Sequence, residues 1–232
     1  MKRFWKTAEA AREGDHWRVL LDGRGVKTVG GSPQGLPSHA LAEAMAAEWA
    51  GQGETVDASA FVLRDLADFA LDVVAPDPAN AARELLPYAE TDTLSYRGEP
   101  DEPLFARQEA VWEPLLAGAE ARWGVRFPRV SGIIASPLPA ETRAKMAAIL
   151  EAHDPFTIAA LTMLASLAAS LVIALEAIEP EADIDALWDA ANLEEDWQAE
   201  LWGLDAEAEA RRTTRLEAFR LAARFAALAR SR

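Results

Sequence analysis

His16-Trp17-Arg18-Val19-Leu20-Leu21-Asp22-Gly23-Arg24-Gly25-Val26-Lys27-Thr28-Val29 is the stretch that fixes the character of the N-terminal part of the chain. Strict alternation places Trp17, Val19 and Leu21 on one side and His16, Arg18 and Leu20 on the other, the period of a half-buried strand. Asp22-Gly23 then brings two residue types that tolerate positive φ, so the chain turns and Gly25–Val29 returns as a second strand. Phe4–Lys6 is a further short strand candidate upstream, and Gly30–Gly35 reads as a loop. A three-stranded meander is marginal until something covers its apolar face. The cover follows at once. Ser38 caps a helix over His39–Gly51 whose Leu41, Met45 and Trp49 recur every four residues, and Gly51 and Gly53 end it. Thr55–Phe61 is short and extended, a last strand or a crossover.

Beyond residue 61 the pattern becomes helical. Leu63, Leu66, Phe69 (or Ala70) and Val73 space a helix over Leu63–Val74, ended by Pro76 and Pro78. Further helices are predicted over Ala79–Tyr88, over Leu104–Trp123 with Gly124 as its C-cap, and over Ala140–Ala152. The Leu104–Trp123 stripe is Leu104, Gln108, Val111, Leu115 and Leu116. Two more are predicted over Ile184–Trp202, stopped by Gly203, and over Ala206–Arg230. The β-to-α change near residues 55–62 predicts an α+β protein. A small β-rich domain over 1–60, a meander plus one helix, precedes a larger all-α bundle over 61–232.

Charge and polarity narrow the function. Between Lys145 and Arg211 there is no Lys or Arg, yet fifteen of the chain's 38 acidic residues fall there. The remaining 23 balance the 23 Lys and Arg, so the net charge of −15 belongs to this one block. Such a field repels nucleic acid and anionic membrane and attracts a basic or mixed-charge protein surface. A solvated face kept for solubility is the plain alternative. The block also holds Leu187, Trp188, Trp197, Leu201 and Trp202; the three Trp are nine and five residues apart, too spread for one narrow stripe. They are either core residues or the aromatic anchors of a recognition surface with an acidic rim.

Pro155–Leu175 carries no charge, and Phe156–Ile173 approaches the length of a membrane span. Its Thr157, Thr162, Ser166 and Ser170, with acids at both ends and no basic anchor nearby, favour a buried central helix over membrane insertion. With no cysteine there is no disulfide, thiolate metal site or cysteine nucleophile. The start of the chain has no apolar signal core and predicts a cytoplasmic, bacterial protein.

The motifs of common enzymes are missing. No Gly-rich phosphate loop, GxSxG or HExxH is present, and His16, His39 and His153 stand alone. Glu194, Glu195 and Glu200 suggest a carboxylate-bridged metal pair, but the Glu-x-x-His partners such a bundle needs do not occur. An enzyme with a carboxylate pocket therefore remains the second reading, and no cofactor or metal is expected.

Five segments in order carry a resemblance. These are Leu21-Asp22-Gly23-Arg24-Gly25-Val26-Lys27-Thr28; Glu48-Trp49 with Gln52; Tyr88-Ala89-Glu90-Thr91-Asp92-Thr93-Leu94-Ser95-Tyr96-Arg97; Gln108 with Trp112-Glu113-Pro114-Leu115-Leu116; and Glu194-Glu195-Asp196-Trp197-Gln198-Ala199-Glu200-Leu201-Trp202-Gly203. Together they resemble the Atp12 family, assembly chaperones of the F1 sector of ATP synthase. The resemblance implies a β-rich N-terminal domain joined to a helical one. It also implies a non-enzymatic chaperone, monomeric when free. Such a protein binds the free α subunit of F1 and prevents its aggregation before the α/β hexamer forms. Release would be by competition, without nucleotide hydrolysis. The family's essential acidic residue maps onto the Glu194–Glu200 helix, which gives Glu194, Glu195, Trp197, Glu200 and Trp202 as the expected client-binding residues. After Gly203 the chain departs from mitochondrial members, running Leu204-Asp205-Ala206-Glu207 into Arg211, Arg212 and Arg215.

Overall fold

The computed structural model describes residues 2–132, 136–203 and 205–231; Leu204 lies outside them. Strands β1 (Ala8–Glu13), β2 (His16–Leu21) and β3 (Arg24–Gly25) form an antiparallel sheet in that order. Asp22 and Gly23 have φ of 48° and 77°, the paired positive values of a type I′ turn. The Asp22 carboxylate accepts the backbone N–H groups of Lys6 and Thr7 at 3.0 and 2.9 Å, which fixes the chain entering β1.

The first strand is Ala8–Glu13, not the expected Phe4–Lys6. Its sequence, AEAARE, has no β-branched or aromatic residue; pairing from Ala8↔Leu21 to Glu13↔His16 imposes the extended state. Phe4 is exposed, whereas Trp5 is buried against Trp49 and donates its indole N–H to the Trp49 carbonyl at 3.2 Å. The expected return strand is also shorter, reduced to Arg24–Gly25 with an isolated bridge from Lys27 to Pro33. Thr55 makes only an isolated bridge, to Lys2.

Helix α1 (His39–Ala50) lies against β1 and β2. Ser38 accepts the Leu41 N–H at 3.0 Å, and Leu41, Met45 and Trp49 are all buried, as their spacing requires. Helix α2 (Val62–Phe69) runs on into a π turn, Ala70–Val74. It buries Leu63, Leu66, Ala70 and Val74 and leaves Val73 exposed. Asp68 and Asp72, one turn apart on α2 and its continuation, hold the 28–34 loop. Asp68 accepts from Gln34 at 2.6 Å and from the Val29 N–H at 3.2 Å. Asp72 accepts from the Thr28 hydroxyl at 2.7 Å and the Gly30 N–H at 2.8 Å.

By its contacts the chain groups into two compact units, one of Met1–Pro78, Asp154–Ala160 and Leu221–Arg232, the other of Ala79–His153 and Leu161–Arg220. The expected boundary near residue 60 marks a change from strand to helix pattern, and the contact grouping is a separate description of the same chain. In the first unit Ile158, Ala159, Phe225 and Ala226 are fully buried, the Phe156 and Phe225 rings stack at 6.0 Å, and Ser38 donates to the Leu228 carbonyl at 2.6 Å.

The second unit contains α3 (Pro78–Arg83) beyond its first residue, α4 (Pro87–Glu90), α5 (Pro103–Trp123) and α6 (Ala140–Glu151). A short parallel pair, β4 (Tyr96–Arg97) and β5 (Val130–Ser131), lies between them in sequence. In α5 the buried stripe is Gln108, Trp112, Leu116, Ala119 and Glu120 rather than one through Val111. Two expected helices are broken. The apolar segment gives α7 (Pro155–Ala168), which begins in the first unit, and α8 (Leu171–Ala177), separated where Ala169 takes φ 49°. Thr93 donates its N–H and hydroxyl to the Ala169 carbonyl at 3.1 and 2.9 Å, while Ser170 caps α8. Likewise Ile184–Trp202 is two helices, α9 (Ile184–Ala191) and α10 (Leu193–Trp202), with buried Asn192 donating its side-chain amide to the Trp188 carbonyl at 2.8 Å. Helix α11 (Ala206–Arg230) starts in the second unit and ends in the first. No helix among the described residues is long and apolar enough to cross a membrane.

Candidate protein-binding face

Helix α10 brings the five sequence-predicted residues onto one element, but they do not share one environment. Leu193 is its one fully buried residue, and much of the rest of the helix is held by polar and ionic bonds. Glu200 receives the Arg107 guanidinium from α5 in a two-point contact, 2.7 and 2.8 Å. The same guanidinium lies 5.6 Å from the centre of the Trp197 ring. Trp197 is therefore half-buried and already partnered. The hydrogen bond from Arg107 holds the Glu200 carboxyl below its ordinary range.

Glu194 behaves in the opposite way. Gln108, one residue beyond Arg107, donates to it at 2.6 Å. Burial raises its carboxyl above the ordinary range, and the Gln108 hydrogen bond offsets part of that rise. Most of the residue remains exposed while its carboxyl end is partly screened. Asp196, not among the expected residues, is bound by Arg212 of α11 at 2.7 Å. Glu195 approaches Arg215 at 3.8 Å and is otherwise open to water. Arg215 also donates to the Leu167 carbonyl at 2.9 Å and lies 5.5 Å from the centre of the Trp188 ring. Trp188 itself is core, packed on Phe219.

The end of α10 is different. Leu201 is 57 % exposed and Trp202 77 %, among the few large apolar side chains left in water. Gly203, at φ 83°, ends the helix just after them. An exposed Trp thus stands beside an exposed Leu, with Glu195 two helical turns before the Trp. The three arginines that approach the helix, Arg107, Arg212 and Arg215, were not among the sequence-predicted residues. Arg107 is 93 positions from Glu200, so no local spacing could pair them. The described residues contain no group of three or more His, Asp or Glu placed to hold a metal ion.

The chain thus combines a β-rich unit, a helical unit and an exposed aromatic end on an arginine-tethered acidic helix. Residues 2–120 match the model of the ATP12 chaperone protein family. The crystal structure of Atp12 from Paracoccus denitrificans superposes with a TM-score of 0.92 at 36 % identity, covering 99 % of this chain and 98 % of that one. A point mutant of the same Paracoccus protein gives 0.91, with the same identity and coverage. The mitochondrial protein atp12 of Schizosaccharomyces pombe is 24 % identical over 214 residues, 87 % of this chain and 74 % of that protein. The chain belongs to the ATP12 family, chaperones of ATP synthase F1 assembly.

Proposed function

We propose that the chain binds the free α subunit of F1 and covers the surface that would otherwise aggregate before the α/β hexamer forms. Exposed Leu201 and Trp202 at the end of α10 carry this reading. They supply the apolar contact, and Glu194, Glu195 and Glu200 orient a basic or mixed-charge client. Trp197 braces the helix through Arg107. Release is by competition when the β subunit arrives; no phosphate-cradling loop supports a nucleotide-driven step. The free chaperone acts in the cytoplasm as a monomer, without cofactor.

Co-expression with the organism's own α and β subunits, each separately, followed by affinity capture and size exclusion, tests the assignment. Soluble α retained and β not retained is the expected result. Capture of neither by a well-folded chain sinks it. Within a positive result, Trp202→Ala and Glu195→Lys should each lower α capture about tenfold. Both sites are exposed, so melting should shift by no more than the equivalent of about 0.5 kcal/mol.

A further inference from the structure

A groove of about 510 Å³ opens in the second unit between α5 and α9. Its apolar lining comes from Val111, Pro114 and Leu115 on α5 and from Ala186, Leu187 and Ala190 on α9. Val111 is 37 % exposed and Ala186 is exposed too, so this apolar surface is reachable from solvent. Pro114 has no N–H. The carbonyl of Ala110, also on the lining, therefore lacks the i+4 donor a helix normally supplies.

The rim is acidic. Glu176, Glu179, Glu181 and Asp183 face a single cation, Arg122. Arg122 is 3.0 Å from Glu176 and 3.9 Å from Glu179, and among the described residues no Lys or Arg pairs with Glu181 or Asp183. Glu181 holds φ 65°, a left-handed backbone that side-chain-bearing residues adopt at a cost. Burial lifts the Glu176 carboxyl above its ordinary range despite Arg122, so an added cation would be welcome there.

We propose that this groove docks an apolar segment flanked by Lys or Arg on a partner protein, a second contact distinct from the end of α10. Charge decides the occupant. A second copy of this chain carries the same net −15, concentrated in the block that forms this rim, so the approach of two copies is opposed and a net-basic partner is favoured. The partner's apolar side chains fill the floor, its cations meet Glu181 and Asp183, and a donor group reaches the Ala110 carbonyl. Naming that partner an F1 subunit rests on the chaperone reading; the chemistry of the groove does not.

The test uses the intact chain and two short fluorescein-labelled peptides, one with Leu and Lys at helical spacing and one with Glu replacing Lys, followed by anisotropy. The Leu/Lys peptide should bind at least about tenfold tighter. Ala186→Trp, which fills the groove without changing charge, should weaken it about tenfold, and Glu181→Gln about threefold. Glu207→Gln, exposed on α11 and not on the lining, should leave it unchanged. Val111→Gln, also at an exposed site, replaces Ala186→Trp if that variant fails to fold. Equal binding of both peptides, no response to a folded groove variant, or an equal response to Glu207→Gln overturns the proposal. Peptide binding without α-subunit capture would sink the F1 reading and keep the groove; capture without peptide binding would do the reverse.

Discussion

Asp92 is fully buried, and its two oxygens hold separate parts of the second unit together. One accepts the Leu94 N–H at 3.1 Å and the other the Val172 N–H at 3.0 Å, at the first turn of α8. Burial raises its pKa from 3.8 to about 6, against the pull of those hydrogen bonds. The folded chain therefore binds this proton more tightly than the unfolded chain does. The site's contribution to stability is full below about pH 4 and is lost as the pH rises through about 6. Asp92→Asn should remove that decline. The difference in urea midpoint between the two chains should then widen in favour of Asn from pH 4.5 to pH 7, a window taken from the two pKa values. A constant difference across that range would show that Asp92 does not titrate there. Asp92→Ala orphans both N–H groups and should cost roughly 2–4 kcal/mol near pH 4, and less as the pH rises through about 6. In the sequence Asp92 stood out only within Thr91-Asp92-Thr93; its depth depends on α8, eighty positions away. The α10 carboxylates were legible as a row of acids. Their division into Glu200 held down by Arg107, Glu194 pushed up by burial and Glu195 left open was not, because every partner is distant in sequence.

At the scale of elements, periodicity located helices well and their interruptions badly. His39–Ala50 and Ala206–Arg230 emerge as expected, since a cap, a stripe or a charged first turn marks them locally. Strand β1 was invisible because AEAARE has the composition of a helix and becomes a strand only opposite β2. The break between α7 and α8 was equally hidden: Ala169 prefers a helix, yet it sits at φ 49° because Thr93 claims its carbonyl and Asp92 claims the first turn of α8. That predicts opposite effects of two substitutions at one exposed position. Ala169→Gly relieves a left-handed residue by about 1–2 kcal/mol and gives back roughly half of that in unfolded-chain entropy, so stability should hold or rise slightly. Ala169→Val places a β-branched side chain in the same conformation and should cost about 1–3 kcal/mol. Denaturant unfolding of both variants decides; a Val variant as stable as the Gly variant would mean that the break is not strained.

Whole-molecule organisation was the least legible feature, because the chain closes its first unit with pieces far apart in sequence. A β-rich start followed by helices is correct as a class, and 1–60 looks self-sufficient on paper. Yet the unit around the sheet also takes Asp154–Ala160 and Leu221–Arg232, where Phe225 is fully buried against Phe156 and the Leu228 carbonyl receives Ser38. A sheet of three strands with a single helix buries too little apolar surface to stand alone. Residues 1–60 expressed by themselves should therefore give the narrow amide dispersion of an unfolded chain. In the full chain, Phe225→Ala should destabilise the first unit by about 3–5 kcal/mol through the cavity it leaves. Because β1, β2 and α1 lie in that unit and α5 and α9 in the other, hydrogen exchange resolved by residue can separate its loss from the behaviour of the second. Amides of β1, β2 and α1 should lose protection in Phe225→Ala while those of α5 and α9 keep theirs. If the 1–60 fragment is well dispersed and α1 stays protected without Phe225, the last turns of α11 are an accessory to a domain that folds on its own. If both fail, the segment around Phe225 is part of the N-terminal core, and the first unit can close only once that segment is available to pack.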